Sequence, residues 1–235
     1  MDATQLAAQL PRQPSEPPSF IDVQAPHGAL ARDYLAHLLN GERHIAAQLI
    51  VAAVAEGVPL RAVYLDVFQT TQREIGHLWQ LNRITVAQEH FCTAATLTIM
   101  NQFYRDILAE PRNGRRVACT CVEGDLHEIG LRIVADFFEL DGWDCDYFGA
   151  NTPAGDLIRT LAQRPPDLIA IAATMTYHVD AVRDLIEHLR AEPALARVPL
   201  LVGGRPFLIA RNLWQQISAD GSAQDAVALG NRLVA

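Results

Sequence analysis

The chain has 235 residues, half of them apolar, and carries a formal net charge of −8 at pH 7. It is long enough to bury one large core or two modest ones, and its negative charge, without a cluster of Lys and Arg, argues against direct nucleic-acid binding. The sequence has no signal peptide and no apolar run that could cross a bilayer, so we expect a cytoplasmic protein without membrane contact.

The first 26 residues contain five prolines among glutamines and serines. A segment of this composition cannot bury enough apolar surface to order itself. We therefore predict a flexible tail over residues 1–26.

Residues 27–110 show the apolar spacing of helices. Breaks at residues 40–41 and at Pro59 separate the first three helices, the third of which runs to Trp79. A fourth helix is predicted over residues 85–108. Short connections between these helices predict an N-terminal four-helix bundle that forms a cap domain.

Residues 115–235 alternate between buried strands and helices after a linker at residues 111–114. The strands are predicted at 117–122, 144–148, 168–173 and 200–202, and the helices at 129–140, 154–163, 179–190 and 210–217. This alternation predicts an α/β domain, a Rossmann-like (flavodoxin-like) parallel sheet with helices on both faces. Ligands of such sheets bind outside the carboxyl ends of the strands.

The four cysteines form neither a Cys-x-x-Cys pair nor a zinc-type spacing. Cys119 and Cys121 alternate on the first predicted strand. We therefore predict that they are small core residues and not redox groups.

A short polar run, Glu123 to Gly130, follows the first predicted strand. It places His127 at a strand-to-helix turn, with Asp125 two residues before it. A carboxylate on one imidazole nitrogen fixes the tautomer and raises the basicity of the other nitrogen, as a metal ligand requires. Gly130 would let a bulky group lie close to the helix backbone. Taken alone, the run is equally typical of a solvated turn.

Three spaced elements together resemble the cobalamin-binding module, whose pattern is Asp-x-His-x-x-Gly, then Ser-x-Leu, then Gly-Gly. The corresponding residues are Asp125, His127 and Gly130, then Ala172 and Thr174 in place of Ser and Leu, then Gly203 and Gly204. The resemblance covers residues 117–234.

This resemblance implies a lower ligand and a binding region for the cofactor's tail. His127 would bind cobalt from below after displacing the cofactor's own base, and Asp125 would orient the imidazole. The residues that would accommodate the tail are Gly130, Thr174, Thr176, Gly203 and Gly204. Ala172 in place of Ser removes one hydrogen bond to the tail or leaves it to a neighbour.

The helical region carries a second constellation, in which nine residues separate Trp79 from the pair Glu89 and His90. This spacing resembles the Trp-x9-Glu-His signature of the cobalamin-dependent photoreceptors, in which a helical cap covers the upper face of adenosylcobalamin. The resemblance implies that Trp79 packs on the adenosyl group, that Val86 lines its pocket, and that Glu89 and His90 hold it by hydrogen bonds. Light would then break the cobalt–carbon bond and the cap would move.

Two departures qualify this resemblance. Gln80 stands where the family often has a His that binds cobalt after photolysis, and His77 and His90 are the candidates to replace it. The chain also lacks the DNA-binding helix-turn-helix of well-known members, so we expect the output to be a change of homo-oligomer, dimer or tetramer, or binding to a protein signalling partner. The chain is similar to the photocobilins as well, which adds biliverdin as a hypothetical second chromophore.

Three functions remain open from the sequence. The first is a non-enzymatic light sensor that binds adenosylcobalamin. The second is a corrinoid methyl carrier of a methyltransferase system, with His127 below cobalt and the upper face exposed to partners. The third is a redox- or ligand-responsive binding module for which the corrinoid is an effector.

Overall fold

The computed structural model describes residues 19–222 and 226–234. Residues 1–18 of the predicted tail lie outside this range. Residues 19–26, which composition predicts to be flexible, are placed against a helix of the first unit, where the Phe20 N–H donates to the Glu74 carboxylate at 2.6 Å. None of the helices in the described part of the chain has the length and apolar character needed to cross a bilayer.

The chain divides into two compact units after Cys92. This division falls inside a helix and not in the linker at 111–114, where composition places the boundary. The helices of the first unit are α1 Gly28–Leu39, α2 Arg43–Ala55, α3 Leu60–Ala62, α4 Thr70–Gln80 and the beginning of α5 Val86–Met100. Buried aromatic rings of Tyr34, Tyr64 and Phe68 form part of its core.

The third predicted helix contains an irregular segment. Between α3 and α4 the chain forms a π-helix over Val63–Gln69, so residues 60–80 make one rod with a widened turn. The hydroxyl of Thr70 donates to the carbonyl of Leu65, five residues earlier, at 3.2 Å.

The fourth predicted helix, 85–108, is three elements in the structure. α5 ends at Met100, a 3-10 turn covers Asn101–Phe103, and α6 spans Tyr104–Leu108. Asn is a poor residue for a helix interior because its side chain competes for backbone hydrogen bonds. The tighter turn accompanies the burial of Phe103, which is 4% exposed.

The second unit contains a parallel four-stranded sheet in the order β2-β1-β3-β4. The strands are β1 Arg116–Cys121, β2 Asp144–Gly149, β3 Leu168–Ala172 and β4 Leu200–Gly203. The helices are α7 Ile129–Leu140, α8 Ala154–Gln163, α9 Val179–Ala191, α10 Arg205–Ile209, α11 Leu213–Gln216 and α12 Ala226–Leu233. Separate apolar clusters cover the two faces of the sheet, so the predicted α/β architecture is confirmed.

One prediction about this unit is wrong and another is confirmed only in part. β2 is not a buried strand but an edge strand whose residues are mostly half-exposed, because only β1 pairs with it. The helix predicted over 210–217 is present but shorter, as α11, and a separate helix, α10, precedes it, with Pro206 in its first turn. In addition, α12 was not predicted.

The strand order fixes where a ligand can bind. In a sheet of order 2-1-3-4, the connections leave β1 and β3 in opposite directions, which opens a crevice between the carboxyl ends of these two strands. The loops after β1 and β3 carry the predicted residues around His127 and Thr174.

Candidate functional site

The centre of the site is the carboxylate of Asp125, which follows β1 and is fully buried. Its Oδ1 accepts hydrogen bonds from Nδ1 of His127 at 2.8 Å and from the His127 backbone N–H at 3.0 Å. Its Oδ2 accepts the backbone N–H of Thr174, which follows β3, at 2.6 Å. One carboxylate therefore joins the two loops that border the crevice.

These contacts control the charge of Asp125. Burial alone raises its pKa, but the hydrogen bonds from His127 and Thr174 lower the pKa below the ordinary value on balance. Asp125 is thus held as a carboxylate, the form that accepts all of these bonds.

His127 is the predicted lower ligand of cobalt, and its surroundings fit that role. Its Nδ1 is bonded to Asp125, so a metal bound by this imidazole would be bound through Nε2, and its side chain is 54% exposed. A carboxylate behind a ligating imidazole is the usual arrangement at protein metal sites.

Large apolar side chains are exposed around this edge of the sheet. Leu126 is 72% exposed after β1, Tyr177 is 69% exposed after β3, and Ile209 is 69% exposed after β4. The segments after β1, β3 and β4 therefore each present apolar surface, which suits a large flat ligand with an apolar body.

The predicted glycines fall into two groups. A Cβ added at Gly130, the second residue of α7, or at Gly203, the last residue of β4, would meet no atom within 4 Å. Gly204 has φ +104°, and a Cβ there would lie 2.0 Å from the carbonyl oxygen of Ala173. Gly130 and Gly203 leave open space for a bulky group, whereas Gly204 is required by the close backbone approach.

The two predicted threonines differ in position. Thr174 is half-buried and contributes its backbone N–H to Asp125, while Thr176 is exposed at the start of a 3-10 turn, Thr176–His178. The structure brings Thr174 into the Asp125 cluster through its backbone and not through its hydroxyl.

Sequence reasoning missed two neighbours of the site. His178 is 8% exposed and its Nδ1 lies 3.5 Å from Oδ2 of Asp125. The Tyr147 hydroxyl donates to Glu128 at 2.9 Å, and burial, followed by this carboxylate, raises the pKa of Tyr147. Neither residue belongs to a spaced motif, and only the adjacency of β1 with β2 and β3 brings them near.

The first unit holds the second predicted constellation at a tight corner between α4 and α5. α5 begins with a capping box, in which Thr85 and Gln88 bond each other's backbone N–H groups at 3.0 and 3.2 Å. Trp79 is 43% exposed at the end of α4 and Val86 is 49% exposed at the start of α5. The corner thus presents an unburied indole and a neighbouring apolar side chain.

The polar members of this constellation lie one turn into α5. His90 is 75% exposed, and its Nε2 lies 3.5 Å from a carboxylate oxygen of Glu89. His77, the other candidate to replace a His at position 80, is only 13% exposed and its ring packs against Phe20. The side chain of His90 is therefore exposed, as that of Trp79 is, whereas the side chain of His77 is largely buried.

Comparisons with known proteins show B12-binding domains in both parts of the chain. Residues 115–229 match the family model described as a B12 binding domain, and residues 30–104 match a second model with the same description. The chain is 37% identical over 106 residues to "Dimethylamine corrinoid protein 3" of Methanosarcina acetivorans, covering 45% of this chain and 48% of that protein.

A second relative is a transcriptional repressor. The chain is 31% identical over 156 residues to "HTH-type transcriptional repressor CarA" of Myxococcus xanthus, covering 64% of this chain and 52% of that protein. The chain thus spans about half the length of these two curated relatives.

Among solved structures, the monomethylamine corrinoid protein of Methanosarcina barkeri has a similar fold. The TM-score is 0.76 at 19% identity, over 89% of this chain and 99% of that one.

Proposed function

From the premise that the chain consists of B12-binding domains, a helical cap followed by a Rossmann-like domain, we propose that it is a light sensor that binds adenosylcobalamin. In this proposal the protein signals and does not catalyse a reaction. Adenosylcobalamin supplies a light-labile cobalt–carbon bond, and the chain's own residues hold it and respond to the loss of its upper ligand.

The observation that carries the proposal is the exposed corner at Trp79. A protein that only carries a corrinoid has no evident use for an exposed indole, an apolar side chain and a Glu-His pair at this spacing. In the proposed roles, Trp79 packs on the adenosyl group, Val86 lines its pocket, and Glu89 and His90 bond its polar atoms. The 43% exposure of Trp79 leaves the indole available for such a contact.

The lower half of the proposed site uses the Asp125 cluster. His127 would bind cobalt through Nε2 while Asp125 fixes its orientation through Nδ1, at 2.8 Å. The open surfaces at Gly130 and Gly203 would leave room for the tail. These assignments are supported by the geometry of the second unit alone.

The decisive experiment is reconstitution in darkness with adenosylcobalamin, followed by absorption spectra and size-exclusion chromatography before and after visible light. We expect a light-driven spectral change together with a change in elution volume, since the proposed output is a change of homo-oligomer or of a protein partner. Methylcobalamin serves as the matched control, because it is also light-labile but lacks the adenosyl group. A spectral change without any change in size or shape would contradict signalling through assembly.

A methyl carrier is the second candidate. It is favoured by the similarity to a dimethylamine corrinoid protein, which is the more identical of the two relatives over its matched region. A carrier would bind methylcobalamin at least as tightly as adenosylcobalamin and would keep its size in light. Preference for the methyl form, with no dependence on Trp79, would therefore replace the sensor with the carrier.

A bilin is a further hypothesis for the sensor. Reconstitution with biliverdin beside adenosylcobalamin tests it directly. A red absorption band that persists after free pigment is removed would support a second chromophore, and a purely corrinoid spectrum would reject it.

A further inference from the structure

Four arginines line one cavity in the second unit, at the end of the sheet opposite the Asp125 cluster. The cavity has a volume of about 280 Å³, and its lining residues are Arg112, Gly114, Arg115, Arg116, Asp144 and Arg164. Arg116 and Asp144 are the first residues of β1 and β2, whereas Asp125 follows the carboxyl end of β1. A strand of six residues is about 17 Å long, so the cavity is not part of the candidate corrinoid site.

The fold, and not the sequence alone, brings these arginines together. Three of them belong to the segment that leads into β1, and Arg164 follows α8. Arg116 connects the two parts, because its guanidinium donates to the carbonyl of Arg164 and also pairs with Asp146. The whole chain has 19 Lys and Arg residues and a net charge of −8, so four of them around one cavity are a local concentration of positive charge.

Donor groups of two of these arginines are not matched by a carboxylate. Arg115 donates to the side-chain oxygen of Asn231 at 3.2 Å and lies 5.7 Å over the ring of Trp143, with no carboxylate partner in the part of the chain that the structure describes. The Nε of Arg116 is buried and has no hydrogen-bond partner among the described residues. A buried donor without a partner costs free energy, and an acceptor bound in the cavity would offset that cost.

Carboxylates near the cavity neutralise its charge only in part. The inner pairs are Arg112–Glu139 and Arg116–Asp146, and Asp167 accepts the backbone N–H of Arg116 at 2.7 Å. Of the described residues that line the cavity, only Asp144 carries a carboxylate. It lies 3.5 Å from Arg164, and the two side chains are 61% and 70% exposed. Such an exposed ion pair contributes little, so Arg164 is able to turn to another anion.

The chemistry of the lining selects the class of ligand. A guanidinium presents a planar fork of donors that matches the oxygens of a phosphate in pairs, and its charge does not depend on pH in the physiological range. A volume of about 280 Å³ is at the lower end of the range for small-molecule sites. It fits a phosphate group with a small organic part and is too small for a dinucleotide.

We propose that this cavity is a binding site for a phosphate group, either as inorganic phosphate or as the end of a small phosphorylated molecule. Arg115 and Arg164 supply positive charge that the chain's own carboxylates do not fully neutralise, and Nε of Arg116 supplies a further donor. The proposal is independent of the corrinoid, because the cavity lies at the amino ends of β1 and β2.

Isothermal titration calorimetry of the full chain, at constant ionic strength, tests the proposal with two probes, inorganic phosphate and glycerol 3-phosphate. We expect one site per chain for at least one probe. Equal or tighter binding of glycerol 3-phosphate would identify a phosphorylated molecule as the occupant, and tighter binding of inorganic phosphate would identify the free ion. Absence of binding by both probes at about 10 mM would overturn the proposal.

Two matched pairs of variants locate the binding in the cavity. Arg164→Gln should weaken binding several-fold, whereas Arg159→Gln on α8, at a side chain that is 73% exposed, should leave it unchanged. Asp144→Asn removes the carboxylate that lines the cavity and should strengthen binding, whereas Asp156→Asn, also on α8 and 65% exposed, should not. The two variants of each pair change the net charge equally, so their difference reports position alone.

These four side chains are all more than half exposed, so we expect every variant to fold, which circular dichroism and thermal unfolding check. Equal weakening by Arg164→Gln and Arg159→Gln would show a general attraction to positive charge and would reject the site. Binding that neither Arg164→Gln nor Asp144→Asn alters would place the phosphate elsewhere and would reject it as well.

Discussion

The backbone N–H of Thr174 donates to Oδ2 of Asp125 across 2.6 Å, although 49 positions separate the two residues in the sequence. Because Asp125 also holds His127 through its other oxygen, the loops after β1 and β3 share one buried charge. A change at this carboxylate should therefore affect both loops at once.

Replacing the shared carboxylate should loosen both loops. Asp125→Asn keeps the shape but turns one acceptor oxygen into a donor, which cannot accept the N–H of Thr174 or of His127. Since hydrogen bonds to charged groups contribute about 1.5–3 kcal/mol each and a buried unmatched donor adds its own cost, we expect the free energy of unfolding to fall by at least about 2 kcal/mol. Urea unfolding measures this change.

The matched control is Asp156→Asn on α8, whose side chain is 65% exposed beside Arg159. An exposed ion pair of this kind contributes little, so we expect a change of less than about 0.5 kcal/mol. A comparable loss in the free energy of unfolding for both variants would mean that the hydrogen bonds of Asp125 contribute no more to stability than an exposed ion pair does.

The adjacent glycines of the fourth strand end should respond in opposite ways. Gly204→Ala should reduce the free energy of unfolding by at least about 2 kcal/mol, because its φ of +104° is one that L residues rarely adopt and its Cβ would overlap the carbonyl of Ala173. Gly203→Ala should leave stability nearly unchanged, since its Cβ meets no atom within 4 Å.

The Gly203→Ala variant also tests whether Gly203 borders a bound corrinoid. If Gly203 borders the tail of the cofactor, Gly203→Ala should raise the dissociation constant for a cobalamin without altering the unfolding curve. Unchanged affinity would place the tail elsewhere along the edge of the sheet.

Trp79→Ala should separate recognition of the upper ligand from folding. Trp79 is 43% exposed, so its removal should change stability by less than about 1 kcal/mol. We expect the affinity for adenosylcobalamin to fall while that for aquacobalamin is preserved. Leu65→Ala, at a residue of the π-helix that is also 43% exposed, is the control, and an equal loss for both cobalamins would contradict an adenosyl contact.

The thiol of Cys92 should resist modification in the folded protein. Burial, followed by the nearby charge of Glu89, raises its pKa from 9.0 to about 11, so only on the order of a thousandth of it is thiolate at pH 8. We expect slow reaction with a thiol reagent until the chain is unfolded, and rapid reaction of Cys92 in the native state would contradict this burial.

The same shift gives a stability window at alkaline pH. The unfolded thiol ionises from about pH 9 while the folded one stays protonated, so the stabilising contribution is complete below pH 9.0 and is lost as pH rises toward about 11. Cys92→Ala should reduce this part of the pH dependence when unfolding is measured between pH 8 and pH 11.

The sequence predicts the architecture of the second unit well because buried strands leave a strong apolar signal and alternate with helices. It places His127, Thr174 and Gly204 at strand ends for the same reason. It does not reveal His178, because its contact with Asp125 depends on β1 and β3 being neighbours, and no local pattern states that order. The sequence also does not predict that β2 is an edge strand, since Cys145, Tyr147 and Phe148 are residue types that are common in a central strand.

Local sequence patterns also do not predict which side chains are exposed at the corner between α4 and α5. The capping residues Thr85 and Gln88 can be recognised by their spacing, but whether Trp79 is buried depends on what packs beside it. An indole at a helix end is more often part of a core, and here the structure leaves it 43% exposed.

The π-helix at Val63–Gln69 has a consequence for the direction in which α4 presents its side chains. A widened turn holds one residue more than an α-helical turn, and each residue of an α-helix rotates the next by about 100°. If this segment relaxed to a regular α-helix with no residue removed, everything beyond it, Trp79 included, would rotate by about that angle relative to Leu60, whereas deleting one residue within the segment would keep the original direction. The direction in which the indole points is therefore set by the winding of the segment that lies ten to sixteen residues before it in the sequence.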